Sequence, residues 1–268
     1  MSIKKRILEN LKNGTILKNG LPAFKNRLYK TIKTSNFFYL FNVNRVKTKK
    51  YLESIRIINK NHFKVGNYYL DSRIMLNEQS IVYSLGILND VSFDEFIAKK
   101  FSCQVFMYDP TPLSIEFLKS QKNSKFNFFP FGVWIEESIM KFYEPKFGGS
   151  SSIFNSNNYV SDRFFEAKCY TIKQLMEKNN HTNIDVFKAD IEGAALPILE
   201  QMIDQKILPT QIIVEFERPK KDINKINDFF QRVDNLRKVL SNYGYEEFRL
   251  PRKSAKYFSL ELLFTKSQ

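Results

Sequence analysis

The sequence predicts an α/β fold: a mostly parallel seven-stranded sheet with helices on both faces and an antiparallel hairpin at one edge. Three observations lead there. From residue 80 onward, apolar and β-branched runs alternate with helix-spaced patterns, the rhythm of parallel strands joined by crossover helices. The last two runs have no helical stretch between them, so they pair as a hairpin. The stretch Ile223–Asn242 sets Ile223, Ile226, Phe230, Val233, Leu236 and Leu240 along one stripe, the pattern of a helix that packs by one face.

In chain order, residues 1–75 read as a basic helical extension and residues 76–268 as the main domain. The extension carries helix-spaced apolar residues, Ile3, Ile7, Leu8 and Leu11, then Leu21, Phe24, Leu28 and Ile32. Residues 1–50 hold 13 lysines and arginines against one acid, Glu9, so +12 of the net +14 belongs to them. Two readings stay open: an amphipathic element lying on an anionic membrane or polyanion, or a pair of helices packed on the main domain with solvated lysines. In the main domain the candidate strands are Ile81–Leu85, Gln104–Asp109, Asn127–Phe131, Asp185–Asp190, Gln211–Phe216, Tyr245–Leu250 and Tyr257–Phe264. The candidate helices are Phe93–Phe101, Leu113–Gln121, Ile172–Asn179, Ala194–Gln205 and Ile223–Asn242. Ser138–Tyr143 and Phe165–Tyr170 alternate like the arms of a hairpin. The polar tip between them, residues 148–161, is either a solvated loop or a lid hinged at Gly148 and Gly149.

At 268 residues, the chain buries enough surface to fold without disulfides or metal. Its two cysteines, Cys103 and Cys169, sit inside strand-like runs and give neither zinc spacing nor a disulfide framework. The first 30 residues lack the unbroken apolar core of a secretory signal. The longest early apolar stretch, Phe37–Phe41, is too short to span a bilayer. These features predict a cytoplasmic protein, membrane-peripheral where the basic extension touches a surface.

In open parallel sheets, ligands bind beyond the carboxyl ends of the strands, where the strand order reverses. The first candidate strand ends at Gly86. Ser92, with Glu95 three residues on, reads as a capping box that starts a helix, and free N–H groups there suit a carboxylate. Asp109 follows Gly86 by 23 residues, at the end of the neighbouring strand, where an acid can accept both hydroxyls of a ribose. A dinucleotide would need G-x-G-x-x-G for its pyrophosphate, but the later positions hold Leu88 and Val91. S-adenosylmethionine has a ribose and a carboxylate and no phosphate, so one glycine suffices for it. The candidate cofactor contacts are Ser84, Gly86, Asn89 and Asp90 on the first turn, Ser92 and Phe93 at the helix start, and Asp109, Pro110 and Thr111 on the second turn. Gly132 and Val133 after the third strand and Asp190 after the fourth complete the set.

Several segments, in this order, resemble FkbM-type methyltransferases: "VYSLGILNDVSFDEFIAKKF", "VFMYDPTP", "FFPFGVW", "GGSSSIF", "YTIKQLMEKNN", "IDVFKADIEGAALPILEQM" and "QIIVEFE". The resemblance covers about residues 80–217. It implies a class I methyltransferase fold, Rossmann-like, that uses S-adenosylmethionine to methylate hydroxyls of sugars, glycans or other small molecules. The chain departs from the pattern at four places. Leu88 stands where many relatives have a second glycine, Ser151 where similar proteins often have histidine, Ala195 in place of a common acid, and Glu217-Arg218 where a histidine pair is frequent.

Methyl transfer to a hydroxyl needs alignment and a base within hydrogen-bond reach. Neither histidine, His62 or His181, lies at a strand end, so the base is a carboxylate or a lysine. Asp190 is the first candidate and Glu192 the second, and both suit the sulfonium charge. Lys188, on the same strand face as Asp190, pairs with it or orients the acceptor, and Glu215 completes the pocket. The alternative for Asp190 and Glu192 is a helix-start role. Asp190, Glu192, Glu215 and Glu217 also offer oxygen ligands of the kind magnesium accepts, although no metal is assigned. Two other functions compete. A nucleic-acid methyltransferase would use the basic extension, but the nearly neutral main domain shows no RNA- or DNA-reading module. A non-catalytic binding protein would keep the fold without the acceptor chemistry.

Overall fold

The computed structural model describes residues 43–121, 126–145, 151–154, 160–219, 223–251 and 259–266. The chain divides into two units, residues 1–50 and 51–268. The helices expected before residue 43 and the hinge glycines Gly148 and Gly149 lie outside the described residues. The second unit begins at Tyr51, so residues 51–75 belong with the main fold and not with the extension. They supply the end of helix α1 (Val43–Glu53) and a hairpin, β1 (His62–Val65) and β2 (Tyr68–Asp71), that the sequence pattern did not reveal.

The main sheet has the order β5-β4-β3-β9-β10-β12-β11. Its parallel strands are β3 (Ile81–Leu85), β4 (Gln104–Tyr108), β5 (Phe126–Phe129), β9 (Val186–Ala189) and β10 (Gln211–Glu217). β12 (Ser259–Lys266) runs antiparallel to both β10 and β11 (Tyr245–Arg249). The expected hairpin is therefore present, but its last strand inserts beside β10 and leaves β11 at the edge. Strand order reverses between β3 and β9, because the chain first builds outward through β4 and β5 and then returns. This is the mixed sheet with an antiparallel edge that the sequence pattern predicts. A second sheet, β6-β8-β7, contains the expected hairpin of β7 (Ser138–Pro145) and β8 (Val160–Tyr170), with β6 (Gly132–Val133) added in parallel.

Helices cover both faces. On one side lie α4 (Ile172–Lys178), α5 (Ala195–Asp204) and α6 (Ile223–Asn242), whose buried Leu175, Leu199, Val233 and Leu236 meet Tyr83, Phe187, Val214 and Phe216. On the other lie α2 (Ser92–Phe101), Leu118 of α3 (Pro112–Lys119) and the β1–β2 hairpin, against Val82, Val105, Val186 and Ile213. Alternate residues of each strand supply the two faces, as the pleat requires. Helix α4 begins at a capping box in which Thr171 and Gln174 satisfy each other's backbone N–H groups. Helix α3 begins at Pro112, with Thr111 as its cap.

The two halves of the sheet are pinned at one point. Gly86 has φ +78°, and a side chain there would overlap the carbonyl oxygen of Asp190. Asp190 N–H donates to Leu85 O at 3.2 Å. A glycine is thus required by the close passage of the chain after β9. Gly86→Ala combines a left-handed backbone with that overlap. It is expected to lower unfolding free energy by roughly 3 kcal/mol or more, read as a shift of the urea midpoint.

Candidate functional site

The same alternation that builds the core puts a polar seam on the α2 face of the sheet. Ser84 and Lys188 are register partners on β3 and β9, and Lys188 pairs in turn with Ile213 on β10. Two residues further on, Asp190 and Glu215, and two beyond that, Glu217, continue the same face at the strand ends. Helix α2 lays Asp94, fully buried, beside Ser84 and Lys188. Burial pushes the Asp94 carboxyl up to about 6, and the Lys188 charge opposes that shift. Neither Asp94 oxygen nor Ser84 Oγ has a well-formed hydrogen bond among the described residues. The Lys188 ammonium donates to Leu85 O at 3.3 Å and Gly86 O at 2.6 Å. It therefore locks the turn after β3 and does not pair with Asp190.

Above this seam lies a cleft of about 550 Å³, open mouth included. Its walls come from the ends of β3 and β4 (Leu85, Gly86, Leu88, Tyr108, Asp109, Pro110, Thr111) and from Gly132 and Val133 of β6. The turn after β9 (Asp190, Ile191, Glu192, Ala194) and Phe142, Ser151 and Ile153 close it. The reversal of strand order between β3 and β9 is thus occupied by a cavity, as expected for an open sheet.

Asp109 is the organiser of the first two turns. Its Oδ2 accepts from Ile87 N (2.8 Å), Leu88 N (2.9 Å) and Ser114 Oγ (2.7 Å), and its Oδ1 from Thr111 N (2.8 Å). A carboxylate has about four acceptor sites, two to each oxygen: three donors share the pair on Oδ2, and Thr111 N takes one on Oδ1. The one left on Oδ1 admits one ribose hydroxyl, so the reading in which the whole carboxylate meets both hydroxyls does not hold in this geometry. These bonds also hold Leu88 at φ +53°, the left-handed conformation that a glycine would take without strain.

The expected anion site at the start of α2 is not formed. The helix begins at Ser92, but Val91 is its cap residue and no side chain caps it. Asp90 accepts from Ser92 N at 2.9 Å, while Asn67 of the hairpin turn donates to Asp90 at 3.0 Å. The turn presses on the helix end. A side chain on Gly66 would lie 2.6 Å from Ser92 Oγ and 2.8 Å from Phe93 N. Asn89, Asp90 and Ser92 thus stand outside the cleft lining, Phe93 packs edge-on to Tyr68 in the core, and Ser84 lies beneath the floor. Gly86, Asp109, Pro110, Thr111, Gly132, Val133 and Asp190 do line the cleft.

Of the residues expected to act on the acceptor, Asp190 and Glu192 reach the cleft, while Lys188 and Glu215 flank it from within the fold. Glu192 adopts φ +45°, and its carbonyl accepts from Ser152 Oγ at 3.0 Å, which ties residues 151–154 to the turn after β9. Two residues of this region had no part in the acceptor chemistry expected from sequence: Glu217, named among possible magnesium ligands, and Tyr68. Glu217 accepts from Gly193 N at 2.6 Å. Desolvation, then the charges of Glu215, Asp190 and Glu192, raise its carboxyl well above the usual range. Tyr68 donates its hydroxyl to Asp190 Oδ2 at 2.7 Å. Strand parity made Glu217 findable, whereas nothing in the sequence links Tyr68 to a partner 122 positions away. Asp190, Glu215 and Glu217 each offer a carboxylate oxygen within 4.8 Å of the others. A protonated Glu217 accounts for that closeness by reducing the repulsion.

Residues 120–247 match the family model described as methyltransferase FkbM domain. Over 144 residues the chain is 26% identical to the probable methyltransferase-like protein 24 of Homo sapiens; this alignment takes in 52% of the chain and 34% of that protein. The chain thus spans about a third of the length of that curated relative. Among solved structures, a TehB-like SAM-dependent methyltransferase from Corynebacterium glutamicum is matched with 11% identity and a TM-score of 0.37, over 72% of this chain and 82% of that one. The plantazolicin methyltransferase BpumL, solved with a desmethylPZN analog and SAH, is matched with 10% identity and a TM-score of 0.33, over 99% and 98% of the two chains. No helix among the described residues is long and apolar enough to cross a membrane.

Two stability outcomes follow from the site. Asp109→Asn turns an amide N–H₂ or a weaker acceptor onto three N–H donors and a hydroxyl, and is expected to cost roughly 2–4 kcal/mol by urea denaturation. Glu217 retains in the fold a proton that the unfolded chain gives up above the ordinary glutamate value of 4.5. Stability from this group is therefore full at low pH and lost as pH rises toward the folded pKa. Glu217→Gln is expected to gain on the wild type in urea midpoint at pH 8 and to match it near pH 4.5.

Proposed function

We propose that this chain, which carries an S-adenosylmethionine-using methyltransferase domain of the FkbM type, methylates a hydroxyl of a sugar, a glycan or another small molecule. The observation that supports this reading most is the meeting, in one cleft at the strand-order reversal, of the Gly86 turn, Asp109 and Asp190. The donor set fits the cofactor. Tyr108, Asp109 and Pro110 would hold its nucleoside half, with the open lone pair of Asp109 Oδ1 for a ribose hydroxyl. Gly86 and Leu88 would flank its amino-acid half. When bound, the cofactor supplies an electrophilic methyl group on a positively charged sulfur.

The chain's own residues do the rest. Asp190 presents a carboxylate to the cleft and takes the proton that the acceptor hydroxyl loses. Glu192 stands next to it and adds negative charge where a cationic donor must sit. On the acceptor side, Phe142, Ile153 and Val133 give an apolar wall. Phe154, edge-on to Trp134 with centroids 6.1 Å apart, lies 3.2 Å from the point where a side chain on Gly193 would begin. An apolar wall beside carboxylates suits a ligand with a nonpolar ring face and hydroxyl edges.

Calorimetric titration of the purified chain with S-adenosylhomocysteine tests the cofactor half. Micromolar binding, about −8 kcal/mol, is expected. A screen of hydroxyl-bearing sugars and small molecules, read as S-adenosylhomocysteine release, tests the acceptor half. An absence of binding by the wild type would end the methyltransferase reading. Binding with methyl transfer only to nitrogen acceptors would end the hydroxyl assignment.

A further inference from the structure

Asp190 has one side-chain hydrogen bond among the described residues, the one from Tyr68 to Oδ2. The groups around it are otherwise mostly acids. Glu192 lies on its own turn, and Glu215 and Glu217 come from β10. Asp94 of α2 adds a further acid near Tyr68. The nearby cation, Lys188 of β9, directs its ammonium at the carbonyls of Leu85 and Gly86. The donor that fixes an oxygen of this carboxylate is Tyr68.

The tyrosine is held firmly enough for that task. Its ring lies between the Lys188 ammonium, 5.3 Å from the ring centroid, and the edge of Phe93, at 5.6 Å. At the far end of β2, Asp71 N donates to the buried Gln211 at 2.8 Å, and Asp71 is paired with Arg73, which also bonds Glu246. The hairpin turn is pressed on α2 at Gly66. Displacement of the hydroxyl oxygen from Asp190 would have to move the packed ring or this anchored strand.

We propose that Tyr68 is a positioning residue: its hydroxyl fixes one oxygen of Asp190 and leaves the other to meet the sulfonium charge and the acceptor's proton. This rests on the reading that the cleft takes S-adenosylmethionine. A binding ratio tests it without an acceptor, because S-adenosylmethionine carries the sulfonium charge and S-adenosylhomocysteine does not. Affinities of the full chain for both compounds are measured for the wild type, Tyr68→Phe and Asp190→Asn, with thermal unfolding as the check on folding. The wild type is expected to prefer the charged compound. Tyr68→Phe is expected to weaken that preference several-fold, and Asp190→Asn to abolish it.

A fluorotyrosine at position 68 preserves the packing and strengthens the donor, so it should change the ratio. That variant serves even if loss of the hydroxyl unfolds the chain. A folded Tyr68→Phe, or a fluorotyrosine variant, with the wild-type ratio would overturn the positioning role. So would an Asp190→Asn variant that keeps the wild-type ratio. A wild type that binds neither compound is a separate result: it removes the cofactor reading, and this inference with it.

Discussion

Much of this molecule depends on the passage of the Asp190 carbonyl over Gly86. The parallel pairing of β3 with β9 brings the two strand ends together, but their continuations can cross only where one of them lacks a side chain. The crossing is then fastened from two sides, by the Asp190 N–H bond to Leu85 and by the Lys188 ammonium on Leu85 and Gly86. With the turn fixed, Asp109 can collect the N–H groups of Ile87 and Leu88, and helix α2 leaves the turn at a set angle. The cleft, its floor and its carboxylates are all consequences of this contact.

The polar seam beneath the cleft is costly for the fold. Asp94 is buried with its carboxyl held near 6, and Glu217 is raised further by burial and by its acidic neighbours. Buried acids of this kind oppose stability at neutral pH. Their arrangement also separates positions: Glu217 is raised by burial among acids, whereas Asp190 accepts the tyrosine hydroxyl at the cleft.

Two additions to the α/β core shape the site. The β1–β2 hairpin covers the α2 end of the sheet and delivers Tyr68, and in doing so closes the helix terminus that would otherwise bind an anion. The β6-β8-β7 sheet forms the opposite wall through Gly132, Val133 and Phe142. Ser152 links that wall to Glu192. The wall that the proposal gives to the acceptor is thus built largely by parts outside the seven-stranded sheet.

The sequence by itself determined the elements and their order. Strand β3 and helix α6 have the expected bounds, and the other predicted core elements differ by a residue or two at their ends. The missing glycines excluded a pyrophosphate, and strand-end positions singled out Gly86, Asp109 and Asp190. These were legible because apolar period, turn chemistry and strand parity are local properties of the chain. Direction and pairing were not. That Asp109 turns to backbone N–H groups, that Lys188 bonds carbonyls instead of Asp190, and that Gly66 covers the start of α2 were decided only when distant segments met. The same holds for Tyr68, for which no local pattern specifies a partner 122 residues away. A side chain's hydrogen-bond partner is selected by what the tertiary fold brings within about 3 Å, and that distance is set by packing across the whole sheet.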